Sequence, residues 1–116
     1  MSGRHNATKF VRFLGSSLDD LRAFPTSARK EAGFQLDKVQ NGEPPSDWKP
    51  IKTVRRGVQE IRIRDEAGAF RIIYVTRFVD AVYVLYCLPK ETLATSRPNL
   101  DLATKRYRDL IKELGQ

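Results

Sequence analysis

Apolar residues fall along this chain in short blocks and in stripes, and each arrangement predicts a different element. Phe10, Val11, Phe13 and Leu14 form a block of strand length behind a polar leader. Ser17 stands three residues before Asp20, a carboxylate form of the capping box, so a short helix is expected to open there and close at Pro25. A second helix is expected from Thr26 or Ser27. Ala28, Ala32, Leu36 and Val39 recur at intervals of three and four, which puts them on one helical face, and Gly42 supplies a stop.

The stretch from Asn41 to Asp47 is dense in turn formers and reads as a loop. Beyond it the pattern shortens. Lys49–Val54, Val58–Arg64, Ala69–Thr76 and Ala81–Leu88 are rich in Ile, Val and Tyr and are separated by short polar breaks, the spacing of an antiparallel meander. Asn99 is the expected cap of a last helix whose Leu100, Ala103, Tyr107, Leu110, Ile111 and Leu114 share one stripe. The implied fold class is α+β: an N-terminal strand and a two-helix hairpin on a curved four-strand antiparallel meander, then a C-terminal helix, with the helices on one face of the sheet. At 116 residues the chain suits a single domain, 1–116, with residues 1–8 as a flexible leader.

Charge changes the picture. With 21 Lys and Arg against 14 Asp and Glu the chain carries a formal +7, so polyanions are plausible partners. From Lys49 to Arg77 lie eight cations (Lys49, Lys52, Arg55, Arg56, Arg62, Arg64, Arg71, Arg77) and three acids (Glu60, Asp65, Glu66), a local excess of 8 − 3 = +5. Alternation along a strand turns Ile61 and Ile63 inward and leaves Glu60, Arg62 and Arg64 on the opposite surface, where Arg71 of the neighbouring strand joins them at an uncovered, charged sheet face. The bland alternative is a solvated face with Glu60 and Asp65 in exposed ion pairs, each worth about 0–1 kcal/mol.

A converging set of guanidinium groups suits one reaction in particular. Attack of a ribose 2′-hydroxyl on its own phosphate builds negative charge that preorganised cations stabilise more than the ground state, and it calls for no cofactor and no metal. Lys90, just past the last strand, is the candidate for proton transfer, because like charge nearby disfavours its ammonium form. The lone His5 lies in the leader and reads as incidental. Tyr74, Tyr83 and Tyr86 suit either base stacking or packing, Trp48 is a packing anchor, and Cys87 is an apolar filler. One cysteine allows no internal disulfide, and neither a membrane-spanning run nor a signal-like apolar stretch is seen, so a cytoplasmic protein is expected.

The ordered series Trp48-Lys49-Pro50-Ile51-Lys52, Gly57 to Arg64, Phe70-Arg71-Ile72-Ile73-Tyr74-Val75, and Val82 to Tyr86 followed by Lys90 resembles the RelE/HigB superfamily of type II toxins, in its phage-derived HigB-like branch. The resemblance covers about Lys49 to Pro98. It implies a RelE/ParE-like fold, ribosome-dependent mRNA cleavage, a helix-turn-helix antitoxin as partner, and DNA binding only through the toxin–antitoxin complex. It matches Arg62 and Arg64 to the strand that grips the mRNA backbone, Arg71 to the arginine that stabilises the transition state, and Lys90 to a lysine that contacts the phosphate or transfers a proton; Arg71, Lys90 and Arg62 are taken as the catalytic set. Arg64, with Lys52, Arg55 and Arg56 of the same cationic segment, is expected to bind RNA. Glu91 stands where the branch usually has a second lysine. Two other readings remain: a ParE-like inhibitor of DNA gyrase, and a non-enzymatic module that binds nucleic acid or protein.

Overall fold

The structure is a computed structural model that describes residues 8–89 and 96–115. Its elements run β1 (Phe10–Phe13), α1 (Ser17–Arg22), α2 (Thr26–Gln40), β2 (Trp48–Pro50), β3 (Val58–Asp65), β4 (Gly68–Val75), β5 (Ala81–Pro89) and α3 (Arg97–Glu113). The strands make one sheet in the order β1-β5-β4-β3-β2. The last four form the expected antiparallel meander, and β1 adds to its far edge in parallel with β5, pairing Phe10 with Ala81 and Phe13 with Val84.

Helices cover both faces of this sheet, not one. Ala28, Ala32, Leu36 and Val39 of α2, with Leu21 of α1, bury against Ile61, Ile63, Ile72, Tyr74, Val82 and Val84. On the reverse side, Ala103, Tyr107 and Leu110 of α3 pack on Val58, Ile73, Val75, Tyr83 and Leu85. The reason lies in β4 and β5: both carry apolar residues at successive positions, and a strand apolar on both faces needs cover on both. The stripe on α3 identifies its buried side correctly. Which sheet face it meets is set by those two strands.

Local signals shift a little. Ser17 does not cap α1; its hydroxyl is buried and donates to Val84 O at 3.2 Å, while Ser16 precedes the helix and bonds Asp20 Oδ2 at 2.9 Å. In α3 the cap is Ser96, whose Oγ accepts from the Asn99 amide, with Pro98 in the first turn where its missing N–H costs nothing. β2 is shorter than expected, and the chain turns through Lys52–Arg56 into β3. A shift in register after Ile73 leaves Leu85 as an extra residue on β5, so Leu85 and Tyr83 both face α3. Residues 66 and 67 turn the β3–β4 hairpin, and Asp65 ties it to α2 by accepting from Ser27 Oγ at 2.9 Å and from the Ala67 amide at 3.1 Å. The Ser27 bond first, then the amide, hold the Asp65 carboxyl below its ordinary value.

Cys87 is an apolar filler, 1% exposed among the core residues beneath α2, and burial pushes its thiol up to about 12. The thiolate is the reactive form, so native protein at pH 8 is expected to resist iodoacetamide and to label fully once unfolded in guanidinium. Rapid labelling of the native protein would show that β5 opens readily.

Candidate functional site

The charged face lies on the α3 side of the sheet, beyond the part that α3 covers. Register places Lys49 opposite Glu60 and Arg62 opposite Arg71, so residues from three strands share this surface. Alternation along β3 therefore places Glu60, Arg62 and Arg64 as the sequence implies.

Exposure does not follow the same pattern. Arg71 is 1% exposed and Glu60 fully buried, with Arg71 Nη1 donating to Glu60 Oε2 at 3.1 Å. On the other side of the same carboxylate, Lys49 Nζ lies 3.9 Å from Oε1 with its side chain 42% exposed. The arginine expected on an uncovered face is thus a buried one, held by a carboxylate that also reaches a lysine at the surface. A guanidinium in the interior of a sheet needs a compensating charge, and the diagonal neighbour on β3 supplies it.

Arg62 behaves differently. Its backbone amide donates to Asp47 O at 2.8 Å and its Nη2 lies 3.3 Å from Asp47 Oδ1, which draws the guanidinium to the sheet edge with 29% of the side chain exposed. Its Nε is buried and has no hydrogen-bond partner among the described residues. Arg64 is exposed at the hairpin end of β3, and Lys52, Arg55 and Arg56 are exposed in the turn before it. Six residues of strand separate that turn from Arg64, about 20 Å, so the RNA-binding candidates form two groups and do not meet over one phosphate. Lys90 lies outside the described residues, as do His5 and Glu91.

Two of the clefts beside β3 carry cations. One, of about 320 Å³, is lined by Lys49, Pro50, Ile51, Lys52, Thr53, Glu60 and Leu100. The other, of about 450 Å³, holds Arg62 and Arg64 but also Glu31, Asp47 and Asp65, so two arginines there face three carboxylates. The first cleft has the stronger positive character. Lys49 is the residue that the sequence reading left out of the site; its signal was present, since it lies three residues before Lys52 in the same short segment.

The aromatic side chains divide. Tyr74 is fully buried and donates to Gln59 Oε1 at 2.7 Å, and Tyr83 is 3% exposed and donates to Asp80, so neither offers a stacking surface. Burial pushes both phenols up, with Asp80 adding to the shift at Tyr83. Tyr86 is half-buried beneath Arg106, whose guanidinium stands 5.3 Å from the ring centre. Trp48 is more open than a packing anchor, at 40% exposed. Among the described residues no group of three or more His, Cys, Asp or Glu is placed to hold a metal ion, and no helix is long and apolar enough to cross a membrane.

Comparison with known proteins gives the site a setting. Residues 19–108 match the profile of the family described as phage derived protein Gp49-like (DUF891). No curated protein sequence gives a significant match. Among solved structures, the chain is similar to a mutant of the E. coli toxin RelE in the free state, with a TM-score of 0.62 and 13% identity over 89% of this chain and 98% of that one. At that identity the likeness is one of fold.

Proposed function

Since the chain belongs to the phage-derived Gp49-like family, we propose that it is the toxin of a type II toxin–antitoxin pair, a ribosome-dependent endoribonuclease that cuts mRNA. The observation that carries the reading is the sheet face itself: within a fold shared with RelE, Arg62 and Arg71 are cross-strand neighbours, and Arg62, anchored by Asp47, keeps 29% of its side chain exposed. A phosphoryl oxygen is the kind of acceptor that an exposed, positioned guanidinium binds.

In this reading a 2′-hydroxyl attacks its adjacent phosphate, and charge grows on the phosphoryl oxygens as the 5′-oxygen leaves. Arg62 stabilises that charge. Arg71 acts one step back, fixing Glu60 and through it Lys49, because a guanidinium at 1% exposure is not placed to touch RNA. Lys90 is the proton-transfer candidate. Lys52, Arg55, Arg56 and Arg64 hold the RNA backbone on either side, a sequence-independent grip of the kind cations provide. The ribosome would supply the ordering of the substrate, and a helix-turn-helix antitoxin encoded beside the toxin would neutralise it.

Induced expression is expected to arrest growth, and primer extension on a reporter mRNA is expected to show cuts only within translated codons. Deleting the start codon of the reporter should abolish them. Arrest with intact mRNA and accumulated cleaved DNA complexes would move the assignment to a gyrase inhibitor, and salt-sensitive RNA binding with no product would leave only a binding module.

A further inference from the structure

The cleft beside β2 has a composition that the phosphate-gripping role alone does not use. Lys49 and Lys52 stand on its rim, while Pro50 and Ile51 of the same segment and Leu100 of α3 form an apolar wall. Glu60 lies at its base, fully buried and held by both Arg71 at 3.1 Å and Lys49 at 3.9 Å. Three cations against one carboxylate leave this corner with a net charge of 3 − 1 = +2. Its volume of about 320 Å³ sits at the small end of ligand sites, which run from about 300 to 1,000 Å³. A site for one anion needs no apolar wall, and a site for an apolar side chain needs no pair of ammonium groups.

We propose that this cleft is a subsite for a single nucleotide, its phosphate between Lys49 and Lys52 and its base or ribose against Pro50, Ile51 and Leu100. The inference rests on reading this face as an RNA-binding one and says where a nucleotide beside the scissile bond is held. Arg62 lines the other cleft beside β3, so this cleft takes a different nucleotide from the one whose phosphate Arg62 contacts. Glu60 is the positioning residue: it keeps Lys49 at the rim and does not itself touch the phosphate. Discrimination among bases at this point comes from contact with the apolar wall, which favours stacking and shape over hydrogen-bond readout.

Purified full-length protein, labelled with ¹⁵N, is titrated with 5′-AMP, with adenosine and with inorganic phosphate. AMP is expected to shift the amides of Lys49, Ile51, Lys52, Thr53 and Leu100 and to bind about tenfold more tightly than either fragment, the effect of about one charged hydrogen bond. Lys49→Gln with Lys52→Gln should weaken AMP by more than that, and Lys52→Gln alone, at an exposed position, by about tenfold. Lys105→Gln removes the same charge from an exposed site on α3 and should change affinity less than about twofold, since its Asp109 pair is a surface one. Shifts confined to other residues, phosphate binding as tightly as AMP, or an unaltered Lys52→Gln protein would each overturn the subsite. AMP bound here by a protein that cuts no mRNA would keep the subsite and remove the ribonuclease reading. Cleavage that persists in Lys52→Gln, without AMP shifts at the cleft, would do the reverse.

Discussion

Arg71→Ala is expected to destabilise the protein by about 3–5 kcal/mol, the cost of breaking a buried ion pair and leaving one charge behind. The charge left is Glu60, fully buried in the centre of β3 with Arg71 Nη1 at 3.1 Å. Lys49 at 3.9 Å offsets part of it from a half-exposed position, where solvent screens the attraction. A small domain has about 5–15 kcal/mol in all, so this single change takes a large share of its stability. An Arg71 on the uncovered sheet face that the sequence implies would instead be an exposed guanidinium, and its removal would leave the fold intact. Urea denaturation decides between them. A midpoint within experimental error of the wild type would mean that Glu60 is readily hydrated when Arg71 is gone. Glu60→Leu with Arg71→Met, which removes both charges and keeps the volume, should unfold at a higher urea concentration than Arg71→Ala. Loss of toxicity in Arg71→Ala therefore reports on catalysis only if the soluble, folded fraction is measured alongside it.

That correction shows what the sequence made legible and what it did not. Alternation in Val58–Asp65 told which side chains share a face, because a strand has one period and Ile61 and Ile63 leave no ambiguity about the inner side. The helical stripes of α2 and α3 were readable for the same reason. Depth was not readable. Whether Arg71 meets water depends on what lies over the sheet and on a carboxylate eleven residues away in sequence that becomes its diagonal neighbour only through the register of β3 on β4. The side of the sheet that α3 takes was hidden too, since its stripe is equally suited to either face. Ser17 looked like a cap because it stands three before Asp20, and the competing demand came from a carbonyl on β5, Val84 O, that only the folded chain brings near. For the candidate site the result is a division of labour. The sequence located the cationic segment, and the tertiary structure separated the cations into a buried one that organises, exposed ones that grip, and Arg62 between them.

Arg62→Ala is expected to give the opposite outcome to Arg71→Ala: a folded protein that has lost most of its cleavage. The pair it breaks is a peripheral one, Nη2 to Asp47 Oδ1 at 3.3 Å, with 43% of the Asp47 side chain exposed, so the abandoned carboxylate is hydrated at little cost. The backbone bond from the Arg62 amide to Asp47 O survives the substitution and keeps the loop on the strand edge. A stability loss within about 1 kcal/mol follows, as for other partly exposed pairs. Catalysis should suffer far more. The guanidinium is anchored by Asp47 with 29% of its side chain exposed, a positioned donor that substrate can reach, and removing one preorganised donor from a developing oxyanion typically costs about 10² to 10³ in rate. Arg62→Lys keeps a positive charge but not the planar fork and should recover only part of the loss. Primer extension on translated reporter mRNA, with circular dichroism to confirm the fold, measures both quantities. Wild-type cutting by a folded Arg62→Ala protein would remove Arg62 from the reaction and leave the exposed lysines as the groups that meet the phosphate.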